Sequence, residues 1–251
     1  MLTTQRKLLL LSQLHAQGQI VARVVSQQLG VSEDTIRRDL RELAQEGKLQ
    51  RVHGGALPAS KAVSDVAGRR QVATEEKIAL GRAGAAMIKA GQIVLLDGGT
   101  TAVQLAHALP QGMAITVVTH SPEVAVELAG HPLVEVVMLG GKLFRHSMVN
   151  MGATTLDEAR RIQADIYFMG VTGVHPELGL TTGDFEEAAL KRALHRQAAE
   201  TVVLASSEKL GAASPYLIAQ LQDISSLVLP PVTSKAIGDS FEKIGVSIVY
   251  C

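Results

Sequence analysis

The chain contains few of the residues on which several classes of protein depend. Its 251 residues include one cysteine, Cys251, and no tryptophan. One cysteine cannot form a disulfide within the chain, and it cannot build a cysteine-based zinc site. Aromatic residues make up only 3% of the sequence, which weakens the case for a surface that stacks unpaired bases. The composition therefore excludes a disulfide scaffold and disfavours a single-strand binding protein.

Long apolar segments are also missing. No apolar run approaches the roughly 20 residues that a membrane-spanning helix needs, and the apolar stretch 8–11 is too short for a secretory signal. We therefore expect a cytoplasmic protein that has no membrane partner. Hydrophobic residues still make up 47% of the chain, which is enough to build a sizeable core.

The net charge is zero, but its distribution along the chain is uneven. Residues 1–58 contain eight Lys or Arg and five Asp or Glu, whereas residues 59–251 contain sixteen and nineteen. A small basic segment joined to a larger acidic one is typical of a protein that contacts nucleic acid at one end. The imbalance is modest, so the motifs have to carry the interpretation.

Residues 1–58 predict a winged helix-turn-helix domain. Apolar residues at helical spacing indicate a first helix that ends at Gly18 and a second that ends at Gly30. Ser32 is a favourable N-cap for a third helix. The expected buried residues are Leu10, Leu11 and Leu14, then Val21, Val24, Val25 and Leu29, then Ile36, Leu40 and Leu43.

The third helix and the segment after it carry the candidate DNA contacts. Two helices joined by a turn, the second with polar and basic residues off its apolar stripe, follow the helix-turn-helix plan. Residues 48–55 predict a strand and a glycine turn, which would form a basic wing. An ordinary helical domain with a solvated basic face is the alternative. The expected contacts to double-stranded DNA are Ser32, Thr35, Arg37, Arg38, Arg41, Lys48, Arg51 and His53.

The segment SEDTIRRDLRELAQEGKLQRVHGGA, residues 32–56, resembles the signature of the DeoR-type bacterial transcriptional regulators. The likeness runs through the motif almost without a break. It implies a DNA-binding N-terminal domain and a C-terminal sensor for a small metabolite derived from sugar. Residues 59–74 lack a clear period and are expected to form the linker; Arg69 and Arg70 there could contact DNA or the second domain, although such pairs are usually solvated.

Residues 75–251 predict a mostly parallel α/β domain. Short apolar runs alternate with helical stretches, as in a parallel sheet that is covered by helices. Ligands bind such sheets beyond the carboxyl ends of the strands. The expected strands are 93–96, 115–118, 134–139, 166–169, 201–204, 226–229 and 246–249.

Four of these strands end in small or hydroxylic residues. Glycine lets backbone N–H groups approach an anion, and a helix N-terminus favours negative charge. One such loop is a weak signal, but four at one edge of a sheet favour a ligand that carries phosphate. The residues concerned are Asp97, Gly98, Gly99, Thr100 and Thr101, then Thr119 and His120, then Gly140 and Gly141, then Gly170 and Gly173.

The segments LLDGGTT, VVTHS, LGG, FMGVTG, GLTTGDFEEAALKRAL and LASSEKLG are similar in order to the DeoR-type sensor domain. That domain is related in fold to ribose-5-phosphate isomerase and binds phosphorylated sugars. By spacing alone Glu187 and Lys191 would be an ordinary surface pair. The sequence departs from the family at His120, where Asn is usual, and at Ser206, where Asp is usual. The resemblance implies effector contacts at Asp97, Gly98, Gly99, Thr100, Thr101, Glu187, Lys191 and Lys209.

The leading prediction is a repressor of carbohydrate metabolism genes, controlled by a phosphorylated sugar and acting as a homo-oligomer, a dimer or tetramer. We expect no catalytic residue, no cofactor and no metal. One alternative is a sugar-phosphate isomerase with a DNA-binding head, for which Asp97, Asp165, Asp184 and Glu187 could supply a base. Another is a metal sensor, although the histidines lack metal-binding spacing.

Overall fold

The computed structural model of the protein describes residues 2–60, 62, 64–231, 233 and 235–251. Met1, at the start of the predicted DNA-binding domain, and Lys61 and Val63, within the predicted linker, lie outside the described residues. Three names are used from here on: the head is residues 2–58, the linker is residues 59–74, and the body is residues 75–251.

The head is a three-helix unit with a small antiparallel sheet, as the sequence predicts. Its sheet has the strand order β1-β3-β2. Gly18 and Gly30 end the first two helices in left-handed backbone, at φ 73° and 63°, which glycine adopts without strain. The elements are α1 Thr3–Gln17, β1 Ile20–Val21, α2 Ala22–Leu29, α3 Glu33–Gln45, β2 Leu49–Val52 and β3 Gly55–Pro58.

The second helix buries a different face from the expected one. Val21 and Val24 are 45% and 47% exposed, while Val25 is buried together with Ala22. The reason is that Val21 belongs to β1 and pairs with Gly55 of β3, so α2 starts one residue later. The expectation for α3 is confirmed, because Ile36, Leu40 and Leu43 are all buried.

A buried ion pair fixes α3 against α1. The guanidinium of Arg6 donates two hydrogen bonds to the carboxylate of Asp39, and both side chains are almost fully enclosed. Removing one partner of such a pair would leave an uncompensated charge inside the head. Because this contact crosses from the first helix to the third, it sets the orientation of the helix that carries the candidate DNA contacts.

The linker lies against the body along much of its described length. Ala59 forms a parallel bridge with Ala213, and Ser60, Ala62 and Val66 are buried. A short helix, α4 Val66–Arg69, begins at Asp65, whose carboxylate accepts a hydrogen bond from the Gly68 N–H. The linker is therefore packed structure that contacts the body.

The body is a three-layer α/β unit. Seven parallel strands have the order β15-β14-β12-β9-β4-β5-β6, which confirms the predicted sheet. The elements are α5 Thr74–Met87, β4 Ile93–Leu96, α6 Thr100–His107, β5 Ile115–Thr119, α7 Pro122–Leu128, β6 Val134–Met138, β7 Lys142–Phe144, β8 Val149–Met151, α8 Ala153–Ala159, β9 Ala164–Met169, β10 Gly173–His175, β11 Gly179–Thr182, α9 Phe185–Arg196, β12 Ala198–Leu204, β13 Tyr216–Ala219, β14 Ser226–Leu229, α10 Lys235–Glu242 and β15 Ser247–Tyr250.

Two small sheets lie beyond the main one, and the sequence did not predict them. Strands β10, β11 and β13 form one, and β7 pairs with β8 in the other. We call β7, β8 and the loop 145–148 between them the hairpin. Helices α5, α6 and α7 pack on one face of the main sheet and α8, α9 and α10 on the other. The loops after β12, β9 and β4 thus meet at the centre of its carboxyl edge.

Candidate functional site

The outer side of α3 presents exposed basic residues next to a capped N-terminus. The hydroxyl of Ser32 accepts a hydrogen bond from the Thr35 N–H at 3.2 Å and lies 2.8 Å from the Thr35 hydroxyl. Arg37 pairs with Glu33 at 2.7 Å, and Arg38 pairs with Glu42 at 3.2 Å. Such exposed pairs are weak, so phosphate groups of DNA can replace the carboxylates.

The wing places further basic groups beside α3. Arg51 and His53 are exposed and share a polar recess of about 200 Å³ with Arg37 and the backbone of Gly54 and Gly55. A Cβ on Gly55 would lie 1.7 Å from the Ile20 carbonyl oxygen, so only glycine permits β3 to approach β1 this closely. The recess offers positive charge and donors, which suits a phosphate of a DNA backbone.

Of the eight predicted DNA contacts, only Arg37, Arg51 and His53 line this recess. Lys48 is exposed and pairs with Glu46 at 2.7 Å. Arg41 is exposed on α3, one turn beyond Arg37. All eight expected DNA contacts therefore belong to α3, its N-cap or the wing, and their contact with DNA stays a prediction.

The body contains a small, partly open cavity at the carboxyl ends of β4, β9 and β12. Its volume is about 40 Å³, which is room for a few water molecules. Its lining combines glycine and threonine backbone with four basic side chains and two carboxylates. The charged residues are Arg69, Lys77, Lys191, Lys209, Glu187 and Glu208.

Several polar atoms at this cavity are buried without a partner. Within the described part of the chain, Arg69 Nε and Nη2, Thr101 Oγ1 and Glu208 Oε2 form no hydrogen bond. A buried polar group without a partner is costly, on the order of 1–3 kcal/mol and more when it is charged. Two unpaired guanidinium N–H groups and one hydroxyl are the groups that an anion would satisfy.

Burial and neighbouring positive charges lower the pKa of two lysines at the cavity. Burial, together with the nearby charges of Lys77, Arg69 and Lys191, lowers the pKa of Lys209 to about 8, although Glu208 opposes the shift. Burial also lowers the pKa of Lys77 and of Arg69. An anion in the cavity would reverse these shifts, because opposite charge favours the protonated forms.

Asp97 is the centre of a buried network below the cavity. One oxygen accepts from the Gly98 N–H at 2.7 Å and lies 2.8 Å from His120 Nε2. The other accepts from the Tyr167 hydroxyl at 2.8 Å, from the Gly170 N–H at 2.8 Å and from Lys191 Nζ at 2.6 Å. The carboxylate is thus fully engaged, so its role in this conformation is to hold the surrounding loops together.

Two neighbouring side chains keep Asp97 ionised. Burial opposes its charge, but Lys191 and His120 together lower its pKa below the usual range. Burial likewise opposes the charge of Lys191, but Asp97 and Glu187 raise its pKa. Glu187 lies 3.4 Å from Lys191 and accepts a hydrogen bond from Thr182 at 2.9 Å. The pair at 187 and 191 is therefore buried, and the surface alternative from spacing alone was wrong.

The structure brings part of the predicted effector set together at the cavity and places the rest elsewhere. The residues that line the cavity are Gly98, Gly99, Thr100, Thr101, Gly170, Glu187, Lys191 and Lys209. The predicted residues outside its lining are Asp97, Thr119, His120, Gly140, Gly141 and Gly173.

Strand order explains this division. Gly140 and Gly141 follow the edge strand β6, which lies two strands from β4. Gly173 belongs to β10 in a separate sheet. Thr119 is buried, and its hydroxyl accepts a hydrogen bond from the Ser121 N–H. Contact between these residues and an effector stays a prediction that this conformation does not display.

Sequence reasoning missed four residues of the cavity. Arg69, Lys77, Ser147 and Glu208 all line it. Ser147 arrives through the hairpin, which no sequence pattern marked. Lys77 had only the signal of a helical position, yet its ammonium donates to the carbonyls of Arg69 at 2.8 Å and Val72 at 2.5 Å. Arg69, which was expected to be solvated, lies half-buried at the cavity because α4 is docked there.

One family departure has a visible consequence at the cavity. Ser206 is fully buried, and its hydroxyl donates to Glu208 at 2.8 Å. Glu208 lies 3.8 Å from the ammonium of Lys77. The chain therefore supplies a carboxylate from position 208, two residues beyond the position where the family usually has one.

The described residues contain no group of three or more His, Cys, Asp or Glu side chains that could hold a metal ion. None of the helices described is both long and apolar enough to cross a bilayer.

A winged helix-turn-helix head joined to a parallel α/β body with a cationic cavity defines the class of transcriptional regulators that carry their own sensor domain. Residues 6–62 match the family model described as the DeoR-like helix-turn-helix domain, and residues 72–229 match the DeoR C terminal sensor domain. The chain belongs to the DeoR family of transcriptional regulators, as its sequence resemblance implies.

Named relatives span most of the chain. The HTH-type transcriptional regulator GlpR of Haloferax volcanii is 34% identical over 227 residues, which cover 90% of this chain and 89% of that protein. The HTH-type transcriptional repressor GlcR of Bacillus subtilis is 30% identical and covers 98% and 95%. The glycerol-3-phosphate regulon repressor of Escherichia coli is 31% identical and covers 83% of each.

Solved structures match the chain only weakly. The full-length sorbitol operon regulator SorC from Klebsiella pneumoniae has a TM-score of 0.43 and 13% identity, and it covers 94% of this chain and 97% of that chain. Ribose 5-phosphate isomerase A from Methanocaldococcus jannaschii has a TM-score of 0.41 and 19% identity, and it covers 54% of each chain.

Proposed function

We propose that the protein is a repressor of carbohydrate metabolism genes whose grip on DNA is set by a phosphorylated sugar bound in the body. Residues 1–58 form its DNA-binding domain, residues 75–251 form its sensor, and residues 59–74 connect them. The repressor acts in the cytoplasm on a double-stranded operator, as a homo-oligomer and without a cofactor. The name of one relative, the glycerol-3-phosphate regulon repressor of Escherichia coli, supports the control of genes for a phosphorylated carbon source.

The unpaired guanidinium of Arg69 is the observation that carries this proposal. Two of its nitrogen atoms are buried without a partner, beside three lysines and the N-terminus of α6. A Cβ atom added to Gly99 would lie 3.9 Å from Arg69 Nη1. The guanidinium of Arg69 therefore lies next to the glycine loop that follows β4. A phosphate group would satisfy these donors and relieve the repulsion among the cations.

The position of Arg69 in the chain supports coupling to the head. Arg69 ends α4, within the linker, and Lys77 of the body donates to the backbone carbonyls of Arg69 and Val72. A phosphate that attracts Lys77 and Arg69 competes with this attachment of the linker. The effector then has different affinities for the attached and detached arrangements, which is the condition for control at a distance.

The first test combines a ligand screen with a DNA-binding assay. Thermal shifts are measured for the purified protein with a panel of sugar phosphates and the matching free sugars. A ligand at 100 times its dissociation constant stabilises by about 2.7 kcal/mol, a shift of roughly 5–10 °C. We expect one phosphorylated sugar to give this shift and to change the affinity for DNA. If no sugar phosphate does either, the proposal is wrong.

The neighbouring arginines provide a matched pair of variants. Arg69→Ala should abolish the response to the effector, because it removes the unpaired donors. Arg70→Ala removes the same charge one residue away, where the side chain is exposed and pairs with Glu123; it should respond normally. Equal loss in both variants would show that net charge, not the cavity, governs the response.

Catalysis is not part of the proposal, although an isomerase was an alternative. Enolisation needs a carboxylate that is free to take a proton. The carboxylate of Asp97 lies within hydrogen-bonding distance of five groups. Asp184 caps α9, and Asp165 accepts a hydrogen bond from the Ile93 N–H outside the cavity. Turnover of ribose 5-phosphate or another sugar phosphate by the purified protein would overturn this assignment.

A further inference from the structure

His120 is enclosed between two hydrogen-bond acceptors. The side chain is 1% exposed. Its Nε2 atom lies 2.8 Å from a carboxylate oxygen of Asp97, and its Nδ1 atom lies 3.0 Å from the backbone carbonyl oxygen of Asn150. Neither partner has a proton to give, because Asp97 already accepts from Lys191, Tyr167 and two backbone N–H groups.

A neutral imidazole cannot serve both contacts. It has one N–H and one lone pair, so one of the two oxygen atoms would face a lone pair. Only the imidazolium donates from both nitrogens. We infer that His120 is a doubly protonated positioning residue, which holds the Asp97 carboxylate with one N–H and clamps the hairpin with the other.

The surrounding charges are consistent with an imidazolium. Asp97 faces the ring from the loop after β4, and Lys191 and Glu187 of α9 reach the same carboxylate network. Tyr167 of β9 adds a hydroxyl to it, and burial beside Asp97 raises the pKa of this tyrosine well above its usual value. The carboxylate of Asp97 thus supplies negative charge directly beside the ring, while Lys191 and Arg69 are cations that interact with both Asp97 and Glu187.

The clamp acts on the segment that closes the cavity. Asn150 of β8 also donates its N–H to the His120 carbonyl at 2.7 Å and its side-chain amide to the Leu139 carbonyl at 2.9 Å. The hairpin brings Ser147 to the cavity lining, and the carbonyl of His146 accepts from the Val66 N–H of α4 at 3.0 Å. His120 thus connects the buried Asp97 carboxylate to the hairpin, which in turn contacts the linker.

Asn is a neutral replacement for His120 that keeps one side-chain N–H donor. An asparagine amide donates without a proton that can leave, whereas the second N–H of His120 exists only while the ring is charged. The clamp of this chain therefore depends on pH in a way that a His120→Asn variant does not. The protonation state itself does not depend on the proposed function.

The protonation is tested by nitrogen NMR of the full chain with ring-labelled histidine. The His120 signals are identified by their absence from the His120→Asn spectrum. At pH 7 we expect both ring nitrogens of His120 to show the signature of protonated nitrogen, each coupled to one proton. One nitrogen with the signature of a bare lone pair would overturn the inference.

The clamp is tested by hydrogen exchange at the Asn150 amide, which needs no effector. We compare wild type with His120→Asn from pH 6 to pH 9, so that the intrinsic pH dependence cancels. The ratio of wild-type to variant exchange should rise with pH, by up to about tenfold per pH unit, because opening the wild-type hairpin releases the ring proton. A constant ratio would show that His120 does not hold the hairpin. His120→Gln serves in the same way if the Asn variant fails to fold.

These outcomes are separate from the fate of the proposed function. If sugar phosphates do not bind but the nitrogen signature and the exchange ratio behave as expected, the inference stands and the effector assignment fails. If sugar phosphates bind and the exchange ratio stays constant, the effector assignment stands and the clamp is wrong.

Discussion

The basic side chains on the outer side of α3 in the head and those at the cavity of the body differ in their exposure to water. On α3, the Arg37 and Arg38 side chains are 54% and 77% exposed, and each has one carboxylate partner on the same helix. In the body, Lys191 is 3% exposed and shares Asp97 with His120, Tyr167 and backbone N–H groups. The two arginines of α3 can exchange partners freely, whereas Lys191 is held in place.

Exposed and buried charged side chains are therefore suited to different roles. Exposed pairs contribute little to stability because water and salt screen them, so an incoming phosphate replaces their partners at little cost. Buried charges are costly to leave unpaired, so a network such as that of Asp97 fixes geometry. Arg69 combines the two conditions, since it is buried at the cavity yet lacks partners for two nitrogens.

The largest effect is expected from breaking the buried network. Lys191→Met leaves Asp97 without its closest cation, so the free energy of unfolding of the body should fall by about 3–5 kcal/mol. For a chain of this size that is a drop of about 6–20 °C in melting temperature. Arg161→Met removes an exposed partner of Asp157 and should change the melting temperature little. Equal effects of the two variants would contradict the comparison.

The exposed set should affect DNA binding and leave the fold intact. We expect the double variant Arg37→Ala and Arg38→Ala to lose about hundredfold or more in affinity for a DNA site selected by the wild-type protein, since each charge-assisted contact is worth about 1.5–3 kcal/mol. The slope of log affinity against log salt should shrink by about 0.9 per lost phosphate contact. The control removes two exposed arginines of the body, Arg160 and Arg161, and should leave the affinity unchanged.

The cavity should show a pH dependence that the head lacks. Lys209 has a pKa of about 8, lowered by burial, so it is charged below pH 8 and loses its charge as the pH rises through that value. Because phosphate binds the charged form, its affinity should weaken above pH 8 by up to about tenfold per pH unit. Titration with inorganic phosphate measures this. Lys209→Arg stays charged and should give a flat profile; a decline in both variants would exclude Lys209 as the cause.

The smallest effect is expected from removing a helix N-cap, and it should be similar in the head and in the body. Ser32 caps α3 and Asp184 caps α9, each by accepting a hydrogen bond from a backbone N–H three residues on. Replacing either by Ala should destabilise its helix by about 1 kcal/mol, measured by hydrogen exchange of the helix amides. Ser32→Thr and Asp184→Asn keep an acceptor and should lose less. A much larger loss in one helix would mean that its cap also holds tertiary structure.

Local patterns in the sequence predicted the elements well. The continuous apolar runs at 93–96 and 226–229 are β4 and β14 with the predicted bounds. Ser32 and the stripe behind it predicted the start and the buried face of α3. These features depend on neighbours within a few residues, so the sequence contains what determines them.

Features that depend on distant partners escaped prediction. The prediction of the buried face of α2 was wrong because Val21 pairs with Gly55, a residue that is far from it in the sequence. The order of the strands decides which loops meet, and it separated Gly140 from Gly98. Arg69 reaches the cavity because the linker docks on the body, and no period in residues 59–74 indicates that contact.

The small volume of the cavity has a consequence for time rather than for affinity. A space of about 40 Å³ is smaller than a sugar phosphate, so full entry of such a ligand requires the linker or the hairpin to move. Entry is then limited by how often the protein opens, so the rate of response should reach a plateau as the concentration rises. The same requirement delays escape, so the regulator retains its state for a while after the metabolite has been consumed.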